Sequence, residues 1–200
     1  MNFASLKTEL AARGFDYLSA TRQGYFLNRS YSEMCEEHDW PFLLTTQTGA
    51  MPMAISDLRT VESVVSTTGR YVLSPLRVPH LLAYDTDLTT AGAPSDYYVT
   101  TTGISVYPTS TTDEFSVRYF KVPAELSEDS DEPEGGSRFH QLIVDGAAAY
   151  AYFDSDNFEA ARGMIDLWNE GKQRMRDSLM HSQHDRPHRY VVPVAGSEDG

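Results

Sequence analysis

The sequence predicts an α+β protein: a four-helix bundle built from both chain ends, an inserted antiparallel β lobe, and an extended C-terminal tail. Three observations carry that expectation. Apolar residues recur at helical spacing over both ends of the chain, the period switches to 2 between residues 42 and about 123, and Pro187 and Pro193 bar helix near the C-terminus. The implied boundaries are 1–41 and 134–182 for the bundle, 42–124 for the β lobe, 125–133 for an acidic connector and 183–200 for the arm.

The first helix is expected over 2–13, where Phe3, Leu6 and Leu10 form one stripe and Gly14 is the stop signal. A longer helix follows over about 19–39. Ser19 is its N-cap, Leu27, Tyr31, Met34, Cys35 and His38 fall at helical spacing, and Pro41 ends it. Joined by a short link, the two form a helical hairpin.

From 42 onward, PFLLTTQT, TVESVVST, YYVTT, ISVYP and EFSVRYFKV are rich in Thr, Val, Tyr and Phe, as strands are. Turn signals stand at Gly49, Gly69, 91–96 and Gly103. In the last strand Phe115, Val117 and Tyr119 point one way while Ser116 and Arg118 point the other, and YYVTTTGISVYP reads as a hairpin turning near Thr102 and Gly103. Short antiparallel strands of this kind make a small sandwich or open barrel.

The stretch ELSEDSDEPEGG at 125–136 is hydrophilic and reads as a solvated connector. Helix then resumes over 137–153, with Phe139, Leu142, Ile143, Gly146, Ala147 and Tyr150 on one face. The last helix, 156–181, opens with a capping box from Asp156 to Glu159 and carries the stripe Phe158, Ala161, Ile165, Trp168, Met175 and Leu179. Lys172, Arg174 and Arg176 close it, as the helix dipole favours. Beyond it, RYVVPV has strand propensity and no neighbouring hairpin partner, which points to pairing with another molecule.

Composition narrows the function. A hydrophobic fraction of 40% and an aromatic fraction of 12% belong to a folded chain. The single cysteine, Cys35, excludes an intrachain disulfide and a Cys-based zinc site, and reads as a small buried apolar residue. The start MNFASLKTEL lacks the cationic and apolar regions of a signal peptide, and no apolar run reaches membrane-spanning length, so a soluble intracellular product is expected. The 29 acids outnumber the 16 bases for a net charge of −13, whereas nucleic-acid grip needs a basic patch.

Candidate chemistry is sparse. There is no Gly-rich phosphate loop, HExxH, GxSxG or EF-hand pattern. His181, His184 and His188 lie close together, but they straddle a helix end and a proline with no fixed Cys or acidic partner beside them, so they read as solvated. The carboxylates of 125–134 lack the ligand alternation and central glycine of a calcium loop. Glu36, Glu37, His38 and Asp39 suggest an acid–base group, yet they end an amphipathic helix and read as its polar face. No catalytic, cofactor or metal residue is expected.

Longer words of the sequence carry a resemblance. An opening FxxLKxEL helix precedes LNRSYSEMCEEHDWPFL, then come FSVRYFKVPAELSEDSDEP, SRFHQLIVDGAAAYAYF and a terminal helix with W-x-E-G-x-x-R-M-R. In this order, over 3–43 and 115–179, the chain resembles the head-to-tail adaptor (head completion) proteins of tailed phages. The resemblance implies a non-enzymatic virion subunit, made in the host cytoplasm and placed in the neck as a twelve-copy ring under the portal. Its expected partners are the portal protein, the next neck or tail protein, and double-stranded DNA that passes without tight binding; no membrane is involved. On that reading Arg186, Arg189, Tyr190, Val191, Val192 and Val194 are the portal-docking residues. The alternatives are a tail-completion, stopper or tail-tube initiating neck protein, and a virion wall hydrolase using Glu36 or Asp39. The strand lobe 44–114 and the acidic balance depart from the family pattern.

Overall fold

A computed structural model describes residues 1–78, 82, 85–110 and 112–184, with side chains through 179 apart from that of 138. Helix α1 spans Phe3–Leu10, and its Asn2 cap accepts from the Ser5 N–H at 3.0 Å. A wider helical turn, Ala11–Phe15, follows and stops at Gly14, whose φ of 96° is the left-handed conformation that favours glycine. Helix α2, Ala20–Glu36, starts as read: the Ser19 side chain accepts from the Arg22 N–H at 3.3 Å. Leu27, Tyr31, Met34 and Cys35 are all buried.

The end of α2 is held by groups distant in sequence. Helix C-termini leave carbonyls without intrahelical partners. Here Trp40 Nε1–H donates to the Met34 carbonyl at 2.7 Å, and the Arg59 guanidinium donates to the carbonyls of Cys35 (2.5 Å), Glu36 (2.6 Å) and His38 (3.2 Å). A cation at that end also suits the helix dipole. One side chain therefore fixes the strand region to the helical region.

The strands form two four-stranded sheets. The first has the order β1 (Leu44–Gly49), β8 (Phe115–Lys121), β3 (Leu58–Ser66), β4 (Tyr71–Val72), and the second β2 (Met53–Ala54), β7 (Gly103–Tyr107), β6 (Asp96–Thr100), β5 (Ser74–Pro75). They face each other as a sandwich: Val64, Phe115, Val117 and Tyr119 from one meet Met53, Tyr97, Ile104 and Val106 from the other in one buried cluster. The chain crosses between sheets at both sides, from β1 to β2 and, through Leu73, from β4 to β5. The expected hairpin is present, with Thr100 opposite Gly103. One pairing differs from expectation: β5 runs parallel to β6, so the second sheet is mixed.

The helices are α3 (His140–Asp154) and α4 (Phe158–His184) in addition to α1 and α2. They do not make the expected four-helix bundle. Positions 140, 142–149 and 151 of α3 are buried, nearly its whole circumference rather than one face. It is a central rod against which α1, α2 and α4 all pack. Gly146 lets both neighbours close in, because a Cβ there would lie 2.2 Å from Ser30 Oγ of α2 and 2.7 Å from the Trp168 ring of α4.

Helix α4 is about 40 Å long at 1.5 Å per residue and buries only a narrow seam. Ala161, Trp168 and Met175 are buried, with Met164 and Leu179 packed beside them. Phe158, expected in that seam, is 55% exposed. The cap is also one residue later than expected. Asp156 sits at φ 57°, and it is Asn157 whose side chain accepts from the Ala160 N–H at 3.3 Å.

The acidic segment is not a solvated connector. Leu126 is buried in the helical core, and Asn28 of α2 clasps its main chain in both directions at 2.9 Å. The carbonyls of Asp129 and Asp131 accept from the N–H groups of Ala4 (3.1 Å) and Phe3 (2.7 Å), capping α1. Asp131 accepts from the Ser127 and Glu128 N–H groups, both at 2.8 Å, which holds its carboxyl below the usual range. Residues 125–134 are a strap that ties α1 to α2, with Glu125, Glu128, Asp129 and Glu132 exposed around buried Leu126, while Glu134 turns in to pair with Lys121 at 2.6 Å.

Candidate interaction site

The catalytic candidates are separated by structural duties. Glu37 pairs with Lys172 of α4 at 2.8 Å, Asp39 lies 3.7 Å from Arg59, and His38 stands edge-on to Trp40. Glu36 accepts from the Ser32 hydroxyl at 2.8 Å. Each has a neighbour that explains its place. Cys35 is buried, and burial foremost pushes its thiol up to about 12, which leaves it protonated and inert. Among the described residues no group of three or more His, Cys, Asp and Glu is placed to hold a metal. Side chains of His181 and His184, and all of His188, lie outside the described residues, as do Arg186, Arg189, Tyr190, Val191, Val192 and Val194.

The described part shows where the last helix ends relative to the others. Helices α2 and α4 run in the same direction, since Asp154 at the end of α3 pairs with Arg22 near the start of α2, and Lys172 of α4 pairs with Glu37 just beyond its end. From Lys172, α4 continues to His184, about 18 Å further along its axis. It therefore overshoots α2 at the pole where the β lobe is attached. The described part of the chain ends at that pole, at His184.

The opposite pole has a different chemistry, and reading the chain did not single it out. There the start of α2, the end of α3 and the start of α4 meet. Tyr17 (63%), Tyr25 (55%), Phe158 (55%) and Phe153 (40%) are exposed, and Phe153 packs against Phe158 at 6.0 Å. A concavity of about 440 Å³ lies beside Tyr25 and Phe153, lined also by Arg22, Phe26, Arg29, Tyr150 and Asp154. Arg22 lies over Phe26 at 5.1 Å and Arg29 over Tyr150 at 4.1 Å. The Tyr150 hydroxyl donates to Glu33, and burial first and that carboxylate second push it up to about 12. The wall of the concavity is thus largely neutral aromatic, with Arg29 and the Arg22–Asp154 pair at its rim. Exposed aromatics with arginine are the composition of protein interfaces, and alternation alone could not reveal them because each also completes a helical pattern.

No described helix is long and apolar enough to cross a membrane. No curated protein matches the chain. The family described as SU10 adaptor protein matches residues 1–195, nearly the full length, and the chain belongs to that family as a phage structural adaptor.

Proposed function

We propose that this protein forms a twelve-copy ring in the virion neck, joins the portal of the DNA-filled head to the tail, and leaves a channel through which DNA passes. The observation that carries the reading is the two-ended subunit: helix α4 runs past the end of α2 beside the β lobe, and exposed aromatics with arginine stand at the other pole. An adaptor must bind a different partner at each end. The arm, 183–200, docks on the portal through Arg186, Arg189, Tyr190, Val191, Val192 and Val194, by strand addition or groove filling. The aromatic pole receives the next neck or tail protein. The helical part (1–41 with 134–182) is the rigid body between them, the lobe 42–124 and the strap 125–133 complete the subunit, and neighbouring copies meet through two unlike faces that close by rotation.

Truncation after Gln183 tests the portal end. The shortened chain is expected to fold, with unchanged circular dichroism, and to lose attachment to portal-bearing capsids. Replacing Phe153 and Phe158 by serine tests the other end: the ring still attaches to the portal, but the next neck component is not recruited. Normal attachment of the truncated chain, or its failure to fold, would contradict the portal reading.

A further inference from the structure

The concavity at the aromatic pole has a charge balance opposite to that of the chain. Its lining carries two guanidinium groups, Arg22 and Arg29, against one carboxylate, Asp154, whereas the sequence has 29 acids and 16 bases. Arg22 is paired with that Asp154. Among the described residues Arg29 has no carboxylate within salt-bridge distance, and Glu33, one turn further along α2, accepts from the Tyr150 hydroxyl instead.

What Arg29 does meet is the Tyr150 ring, 4.1 Å from its centre. A guanidinium laid over a ring keeps its N–H edge for an acceptor in its own plane, and a carboxylate matches that fork with two parallel bonds. Beside it Phe26, Tyr150 and Phe153 make an aromatic floor. Tyr25 and Arg29, neighbours one turn apart on α2, also line a second hollow of about 310 Å³, to which Asn28, Ser32 and Pro123 contribute.

We propose that these two hollows take an acidic peptide segment of the next neck component, with an aromatic side chain seated against Tyr25, Tyr150 and Phe153 and an adjoining carboxylate on Arg29. This rests on the aromatic pole being the tail-facing end, and adds the chemistry recognised there.

Charge selects the occupant. The rim offers one guanidinium that is not already matched, which suits a single carboxylate. A nucleic-acid backbone needs a row of cations, and Asp154 at the same rim would repel it. Size agrees, since about 440 Å³ lies within the roughly 300–1,000 Å³ of pockets that enclose small ligands. An aromatic ring packs edge-on against the tyrosines and phenylalanine, and by excluding water it strengthens the bond from Arg29 to the carboxylate. Two hollows sharing one wall give separate seats to two side chains of one segment.

Fragment titrations on the full chain, followed through tyrosine-ring and arginine NMR signals, test the chemistry. The probes are N-acetylphenylalanine, which carries ring and carboxylate, its primary amide, which carries the ring alone, and acetate. The acid should shift the signals of Tyr25, Arg29 and Tyr150 and bind about tenfold tighter or more than the amide, the worth of a hydrogen bond to a charged group. Acetate should bind more weakly than the acid. Arg29→Gln should bring the acid down to the amide, and Arg29→Lys, which keeps the charge and loses the fork, should fall between them. Equal binding of acid and amide by the unaltered chain, or binding of neither, would overturn the proposal without any variant having to fold. In assembly, capsids fitted with Arg29→Gln subunits should fail to recruit the next neck component. Normal recruitment would overturn the assignment to that partner, and loss of the ring itself would give the hollow to a neighbouring copy instead. The tail-facing reading is tested separately by the serine variants of Phe153 and Phe158. If recruitment survives them while the unaltered chain prefers the acid, that reading fails and the carboxylate site stands.

Discussion

At the scale of single residues, two glycines on neighbouring helices have opposite roles. Alanine favours a helix over glycine by about 1 kcal/mol, and at Gly163, where a Cβ meets nothing within 4 Å, Gly163→Ala should stabilise by that order. At Gly146 the same change drives a methyl against Ser30 Oγ, which is anchored by donating to the Ile143 carbonyl at 2.9 Å. Overpacking costs about 1–3 kcal/mol and outweighs the propensity gain, so Gly146→Ala should lower the denaturant midpoint. Equal shifts of one sign in both variants would contradict the packing of α3. His140, buried in the first turn of α3, is held below its ordinary value by burial first and by the amino-terminal charge second. The fold favours neutral imidazole, while the unfolded chain takes a proton near pH 6.5. That stability is present above about 6.5 and is lost as the pH falls below it. Between pH 7 and 5 the melting temperature should fall more in the wild type than in His140→Gln; parallel curves would remove this assignment. Ser19 was readable as a cap because its hydroxyl bonds three residues ahead. Asn157 was missed in favour of Asp156 because a left-handed residue before the helix shifts the register by one, and composition carries no trace of that.

At the scale of elements, the strap separates what composition shows from what it hides. Six acids between 125 and 134 mark an exposed chain, and Glu125, Glu128, Asp129 and Glu132 are exposed, while Glu134 turns in toward Lys121. Leu126 and the two bonds from Asn28 turn the same stretch into a brace. Asn28→Ala leaves a buried N–H and carbonyl without partners, a cost of about 1–3 kcal/mol, and should make the strap open to proteolysis while α3 stays protected. A strap no more cleavable than before would mean that Leu126 alone holds it. The helices and longer strands were legible because their periods repeat over many residues. The two-residue strands β2, β4 and β5 were not, because alternation needs length, and their pairing is decided by the crossing of the chain between sheets. The four-helix bundle failed for a related reason. Leu142, Ile143, Gly146 and Ala147 are a real stripe, but alanines at 148, 149 and 151 are small enough to be buried on the remaining sides, and spacing cannot distinguish a helix with one buried face from one enclosed on several.

At the scale of the whole molecule, charge and polarity set the behaviour. With a net charge of −13, the purified protein should show no measurable binding to duplex DNA at physiological salt, because there are too few cations to displace counterions from phosphate. Tight, salt-sensitive binding in a mobility assay would contradict a channel that lets DNA pass. The acidic balance was visible from composition; the polarity was not, since Tyr17, Tyr25, Phe153 and Phe158 are scattered in sequence and meet only when α2, α3 and α4 are aligned. The central claim is that one pole of the subunit faces the portal and the other the tail. A cryo-electron microscopy map of the intact virion neck tests it most directly. The account predicts a twelve-copy ring beneath the portal, with the His184 end of each α4 directed at the portal and Phe153 and Phe158 on the tail side. A map that places the chain in the capsid shell or in fibres, or that turns the aromatic pole toward the portal, would contradict it.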